Sequence, residues 1–261
     1  MSIIILPHLL ENLEYLKTGE DKIRTDSSLS INSNATLSEH IKFIHECMDM
    51  LMWMHNSTIE LDLNDNSIAI AGLKIRLFNS IASCIKLLLS GYYQGSVSFI
   101  RDVLEVSFLL DYFTLDDSSI ERWIKKPSSN EFKPIELRKK LDERDGLSEQ
   151  KRKDRYKLFS AYGTHATFDG NRLFKNNNLL TIGPFFNQKF LESILFDLAE
   201  QLAHPILSFM KFESNLSIED FKSKRDFFAA MQSWWKVNKD IDLSGNKLEE
   251  LNDLFDLLEK T

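Results

Sequence analysis

Residues 91–112 read GYYQGSVSFIRDVLEVSFLLDY, a stretch with helical composition that is apolar on nearly every side. At about 100° per residue, Gln94, Ser98, Arg101, Glu105 and Tyr112 fall in one sector roughly 60° wide. The other faces carry Val97, Phe99, Ile100, Val103, Leu104, Val106, Phe108 and Leu110. A helix of this kind is surrounded by other helices, and its one polar stripe is partly enclosed. Charges held there need partners, so Arg101 and Glu105, four residues apart, are expected to pair or each to meet a partner from another helix.

Working outward, residues 68–90 form a second long apolar helix, separated from the helix at 94–114 by Gly91. Two long helices joined by a tight glycine turn make antiparallel neighbours. Upstream, residues 37–55 place Leu37, Ile41, Ile44, Met48, Leu51 and Met52 at helical spacing. Thr36-Leu-Ser-Glu39 has the pattern of a capping box. Residues 18–36, rich in Ser and Asn, read as a polar loop or linker after a short opening helix. Residues 59–66 suggest a turn or short extended piece.

Downstream, 117–157 holds shorter helices around Pro127 and Pro134, and Asn176–Asn178 and Gly183-Pro184 mark a loop. Helices follow at 185–212, where Pro205 is expected to introduce a kink, at 217–237, and at 246–259. No helix–strand alternation and no internal repeat is present. The expectation is an all-α antiparallel bundle: residues 1–36 an N-terminal helix and linker, residues 37–261 a single helical domain.

Composition agrees with this. The 261 residues include only 9 Gly and 5 Pro, with 43% hydrophobic and 27% charged residues, which suits long helices around a core. A net charge of −7 argues against broad, unspecific nucleic-acid binding. Charge is segregated, however: residues 121–157 hold 13 Lys and Arg against 8 Asp and Glu, whereas residues 240–261 hold 7 acids against 2 lysines. Two cysteines, Cys47 and Cys84, suggest buried free thiols and no disulfide framework. The opening MSIIILPHLLENLEYL lacks a basic leader and a small-residue cleavage site, and no apolar run long enough for a membrane span is expected, so a cytoplasmic location is.

The run SGYYQGSVSFIRDVLEVSFLLDYF, then Trp123, FKPIELRKKLDE and RYKLFSAYGTHATF, resembles a bacterial family of helical proteins related to the HEPN (higher eukaryotes and prokaryotes nucleotide-binding) superfamily. In that group a glycine-led helix carries Arg and Glu four apart, and a later helix ends in Ser-x-x-x-x-His. The matching residues are Arg101 and Glu105, then Ser160 and His165, within roughly residues 70–170. The resemblance implies a HEPN-like bundle from bacterial defence or toxin–antitoxin systems that binds a nucleotide, RNA or a partner protein. HEPN ribonucleases also carry an Arg followed four to six residues later by His. None of the six histidines here has that spacing, which leaves ribonuclease chemistry by that route without its motif.

The candidate catalytic set is therefore His165, Arg101 and Glu105, with Gln94, Ser98, Tyr112, Arg155 and Ser160 as candidate ligand-binding residues. His165, at a helix end, would either cap a carbonyl or act as general acid or base beside an anion held by Arg101 and Arg155. Competing with this are a non-catalytic helical scaffold, dimeric or joined to a protein from a neighbouring gene, and an enzyme acting on a small phosphorylated ligand. No metal and no cofactor is expected. His40, His45, Cys47 and His55 lack a common face, Glu200 and His204 lack a second such pair, and Asp240–Gly245 copies only half of a calcium loop. Phe221, Phe227, Phe228, Trp234 and Trp235 read as core packing.

Overall fold

The structure, a computed structural model, describes residues 7–59, 64–116, 118–147, 151–177, 179–213 and 217–241. It is all-α. Helices α1 (Pro7–Ser33), α2 (Ala35–Ile59), α3 (Asp65–Leu89) and α4 (Tyr93–Phe113) are followed by the shorter α5 (Ser118–Lys125), α6 (Pro134–Arg144) and α7 (Lys151–Phe159). A two-residue antiparallel hairpin, β1 (Lys175–Asn176) with β2 (Leu179–Leu180), precedes α8 (Gln188–Met210) and α9 (Ile218–Lys239). The helix expected at 246–259, and the calcium-like turn beyond Ile241, lie outside the described residues.

Helix α4 is central, packing against α3, α8, α6 and α7. Ile100, Val103 and Leu110 are fully buried on it. Gly91 turns the chain from α3 into α4 with φ +83°, and a Cβ there would lie 2.6 Å from the carbonyl oxygen of Phe185. Only glycine fits both the conformation and the space. Helix α9 lays Phe227 and Trp234 over α2, with Trp234 stacked on Phe43 at 5.3 Å between ring centroids. Phe227 and Trp234 are core, and the half-buried Phe228 and Trp235 pack against it.

Three local expectations are corrected. Residues 18–33 are helix, not linker: α1 is 27 residues long and buries Ile23, Ser27 and Ile31, one face at intervals of four. Its polar residues are accommodated because Thr25, Ser28 and Ser33 donate their hydroxyls to carbonyls four residues back. The cap of α2 is Asn34, whose side-chain oxygen accepts from the amides of Thr36 (3.0 Å) and Leu37 (3.3 Å), so Thr36 lies inside the helix rather than at its cap. Finally, α3 is long and apolar enough to cross a membrane by length and composition alone. In this fold its Leu73, Leu77, Ile81 and Leu88 are buried, and it packs closely on α4. Pro205 sits within α8 without ending it.

Candidate functional site

The Arg101 guanidinium is held on three sides. Its Nη2 donates to Glu105 Oε1 at 2.6 Å and to the Tyr156 hydroxyl at 2.5 Å, and its Nε donates to Ser160 Oγ at 3.1 Å. Tyr156 closes the ring by donating to the same Glu105 oxygen at 2.8 Å. Burial and the hydrogen bond to Glu105 push the Tyr156 phenol above its ordinary pKa. Arg101 and Glu105 keep 23% and 24% of their side chains exposed, so the pair is sheltered rather than sealed.

The two halves of the motif meet because the chain widens after α7. Ser160–Thr164 forms a π-type turn in which the His165 amide donates to the Ser160 carbonyl at 2.8 Å. Gly163 lets this turn lie directly on α4, where a Cβ would fall 2.7 Å from the amide nitrogen of Ser98. The Gly163 carbonyl accepts from Gln94 and, at 2.5 Å, from Ser98. These two residues dock the turn.

The remaining candidates go elsewhere. The His165 backbone amide makes the capping bond while its ring is exposed and bonds no described residue. Arg155 pairs with Glu200 of α8 at 2.7 Å. Tyr112 donates to Glu131 and accepts from Lys140, both at 2.8 Å. So Arg101, Glu105 and Ser160 come together with Tyr156, whereas Arg155, Tyr112 and the His165 imidazole are not part of that cluster. Four cavities lined by described residues lie elsewhere, and none of these four includes Arg101, Glu105 or His165.

Other charges continue the seam without having been singled out in the sequence. Arg138 also lies over the Tyr156 ring, 4.1 Å from its centroid, against 5.0 Å for Arg101. Arg138 is buried, which lowers its pKa, and its Nη1 finds no hydrogen-bond acceptor. Asp111, buried on α4, takes two bonds from Arg144 at 2.7 and 2.9 Å, and Arg152 reaches Asp142 at 2.5 Å. Hydrogen bonds from Arg144 and Arg152 hold the Asp145 carboxyl well below the usual range. An aspartate on α4 outside its polar stripe, Asp111, followed by Asp142-x-Arg144-Asp145, was the available signal for this network.

Asp197, elsewhere on α8, behaves in the opposite way. It bonds no described residue, and burial together with nearby Glu200 raises its pKa from 3.8 to about 6. Because the folded value exceeds the unfolded one, the native state takes up the proton more readily. The penalty is absent below pH 4, grows through pH 6 and is complete above it. Such a shift corresponds to about 3 kcal/mol, reduced to about 2 kcal/mol by partial solvent access. Asp197→Asn is therefore expected to stabilise the protein by about 2 kcal/mol at pH 8 and by nothing at pH 3 in urea titrations.

No protein-family model matches the chain, and neither a curated protein nor a solved structure does.

Proposed function

We propose that the chain is a HEPN-like helical bundle that works by binding a partner protein rather than by catalysis. The observation that carries this reading is the commitment of Arg101: its Nε and Nη2 donate to Ser160, Glu105 and Tyr156, all within the chain. A phosphate-binding arginine turns both terminal nitrogens of its fork to the ligand, whereas here Nη2 is taken within the chain and only Nη1 has no acceptor among the described residues. Here the guanidinium ties α4 to α7 and the following turn, which is a packing role. The exposed His165 ring, without a partner to orient it, fits the same reading.

Arg101→Ala is expected to cost about 2 kcal/mol in chemical denaturation, because Glu105 loses its charged donor. Two further measurements decide between the roles. Fluorescence anisotropy with a labelled single-stranded RNA and thermal shifts with ATP are expected to show no binding by the wild-type chain. Co-expression with the product of the neighbouring gene is expected to give one complex on gel filtration. Wild-type stabilisation by ATP or RNA, abolished in a folded Arg101→Ala variant, would overturn the proposal in favour of a ligand site.

A further inference from the structure

A cavity of about 570 Å³ lies between the first turns of α2 and the N-terminal half of α8, with Asn34, Thr36, His40, Glu192, Phe196 and Asp197 on its wall. No described lysine or arginine lines it. Its volume is in the range of small-molecule sites. Three features define its chemistry.

The first is the Asp197 carboxylate. The cations nearest to it, Arg155 and Lys239, are both bonded to Glu200, and no described residue donates to Asp197 itself. A half-buried carboxylate left in this state costs stability, which the nearby charges of Arg155 and Lys239 offset only in part.

The second is His40, only 3% exposed. The indole N–H of Trp234 donates to its Nδ1 at 3.0 Å, so the ring must carry its own proton on Nε2. Among the described residues that Nε2–H has no acceptor. Burial lowers the pKa of His40 and keeps it neutral. His40 therefore offers the cavity an N–H, not a lone pair, and cannot ligate a metal there.

The third is Phe196, whose ring centroid lies 5.6 Å from that of His40 and 4.7 Å from the ammonium of Lys239. An aromatic face beside Asp197 already accommodates one ammonium.

We propose that this cavity binds a small organic ammonium ion that also carries a hydrogen-bond acceptor, such as an amino alcohol. Asp197 is its counter-ion, Phe196 packs on its carbon chain, and the Nε2–H of His40 donates to its oxygen. A neutral ligand leaves the carboxylate unpaired, and an anion meets Glu192 and Asp197 with no cation on the wall. A metal ion finds two carboxylates and a ring that presents a proton.

The test uses the full chain and 4-amino-1-butanol, with 1,4-butanediol as the neutral analogue and Mg²⁺ as the inorganic cation. The reporter is the Trp234 indole resonance in ¹H–¹⁵N spectra, one hydrogen bond from the site. At pH 8 the amino alcohol is expected to move this resonance saturably, and the diol and Mg²⁺ are not. Asp197→Asn keeps the shape of the side chain, and is expected to weaken binding at least about tenfold, the loss of one charged hydrogen-bonded pair.

Lowering the pH from 8 to 5 is expected to weaken wild-type binding by about tenfold, because Asp197 protonates near pH 6, and to leave the variant unchanged. The groups facing Asp197 are Glu200 on α8, Arg155 on α7 and Lys239 on α9, with His40 and Glu192 elsewhere on the cavity wall. Equal response to the diol, undiminished binding by Asp197→Asn, a response to Mg²⁺ alone, or no saturable shift would each overturn the proposal.

Discussion

Gly163→Ala lowers stability by about 3 kcal/mol, the upper range for inserting a methyl group into packed structure. At this chain length that loss is expected as a fall of about 6–12 °C in the thermal midpoint. The reason is contact with backbone, which cannot rotate away. A Cβ at Gly163 would lie 2.7 Å from the Ser98 nitrogen, 2.9 Å from the Ser98 Cα and 2.9 Å from the Val97 carbonyl carbon. The turn must lift off α4, and the bonds from Gln94 and Ser98 to the Gly163 carbonyl lengthen with it. Ser160 is carried away from Arg101 by the same movement. Gly72→Ala is the control: it lies within α3, where a Cβ meets nothing within 4 Å, and is expected to stabilise by about 0.5–1 kcal/mol through the backbone entropy of the unfolded chain. Scanning calorimetry of both variants checks this. A Gly163→Ala protein with an unchanged midpoint would show that the turn does not rest on α4.

Lys74→Ala has an effect of similar size, about 4 kcal/mol. The Lys74 side chain is 1% exposed, with its ammonium bonded to Glu213 and, at 3.1 Å, to the Met54 carbonyl. It ties α3 to the C-terminal part of α2 and to the segment after α8. Removing the lysine leaves a cavity and a largely enclosed Glu213 carboxylate. Substituting Glu213 as well removes that stranded charge. Lys74→Met combined with Glu213→Leu is therefore expected to fall within about 1 kcal/mol of wild type in urea denaturation, although Lys74→Met alone does not. If the double variant is as unstable as Lys74→Ala, the pair contributes more than the cost of desolvating it.

Much of the helical order was legible in advance because its signals are local. The break at Gly91, the apolar period of α3 and α4, and the Arg101–Glu105 spacing each depend on residues within a turn or two. The expected helix at 94–114 is Tyr93–Phe113 in the structure. The reading of 18–36 as linker failed for the same reason it was made. Serine and asparagine content measures local preference, whereas α1 is held by burying Ile23 and Ile31 against other helices. The membrane-like composition of α3 shows the converse, since a helix packed along one face on its neighbours passes the same test of length and apolar content as one in lipid.

The candidate site divides along the same line. That Arg101 and Glu105 would bond each other follows from helix geometry and was available from the sequence. Tyr156 as the third member, Arg155 turned to Glu200, and an exposed His165 ring depend on how α7 and the π-type turn approach α4.

The sequence by itself determined the all-α class, the long α3–α4 hairpin and the position of its polar stripe, because each rests on periodicity and on single residues with special backbone freedom. Only the tertiary structure decided which partner each charge takes, which polar helix is buried, and that Asp197 is bonded by no described residue beside an open cavity. A long side chain can reach several neighbours, and its choice is set by helix packing between segments far apart in the chain.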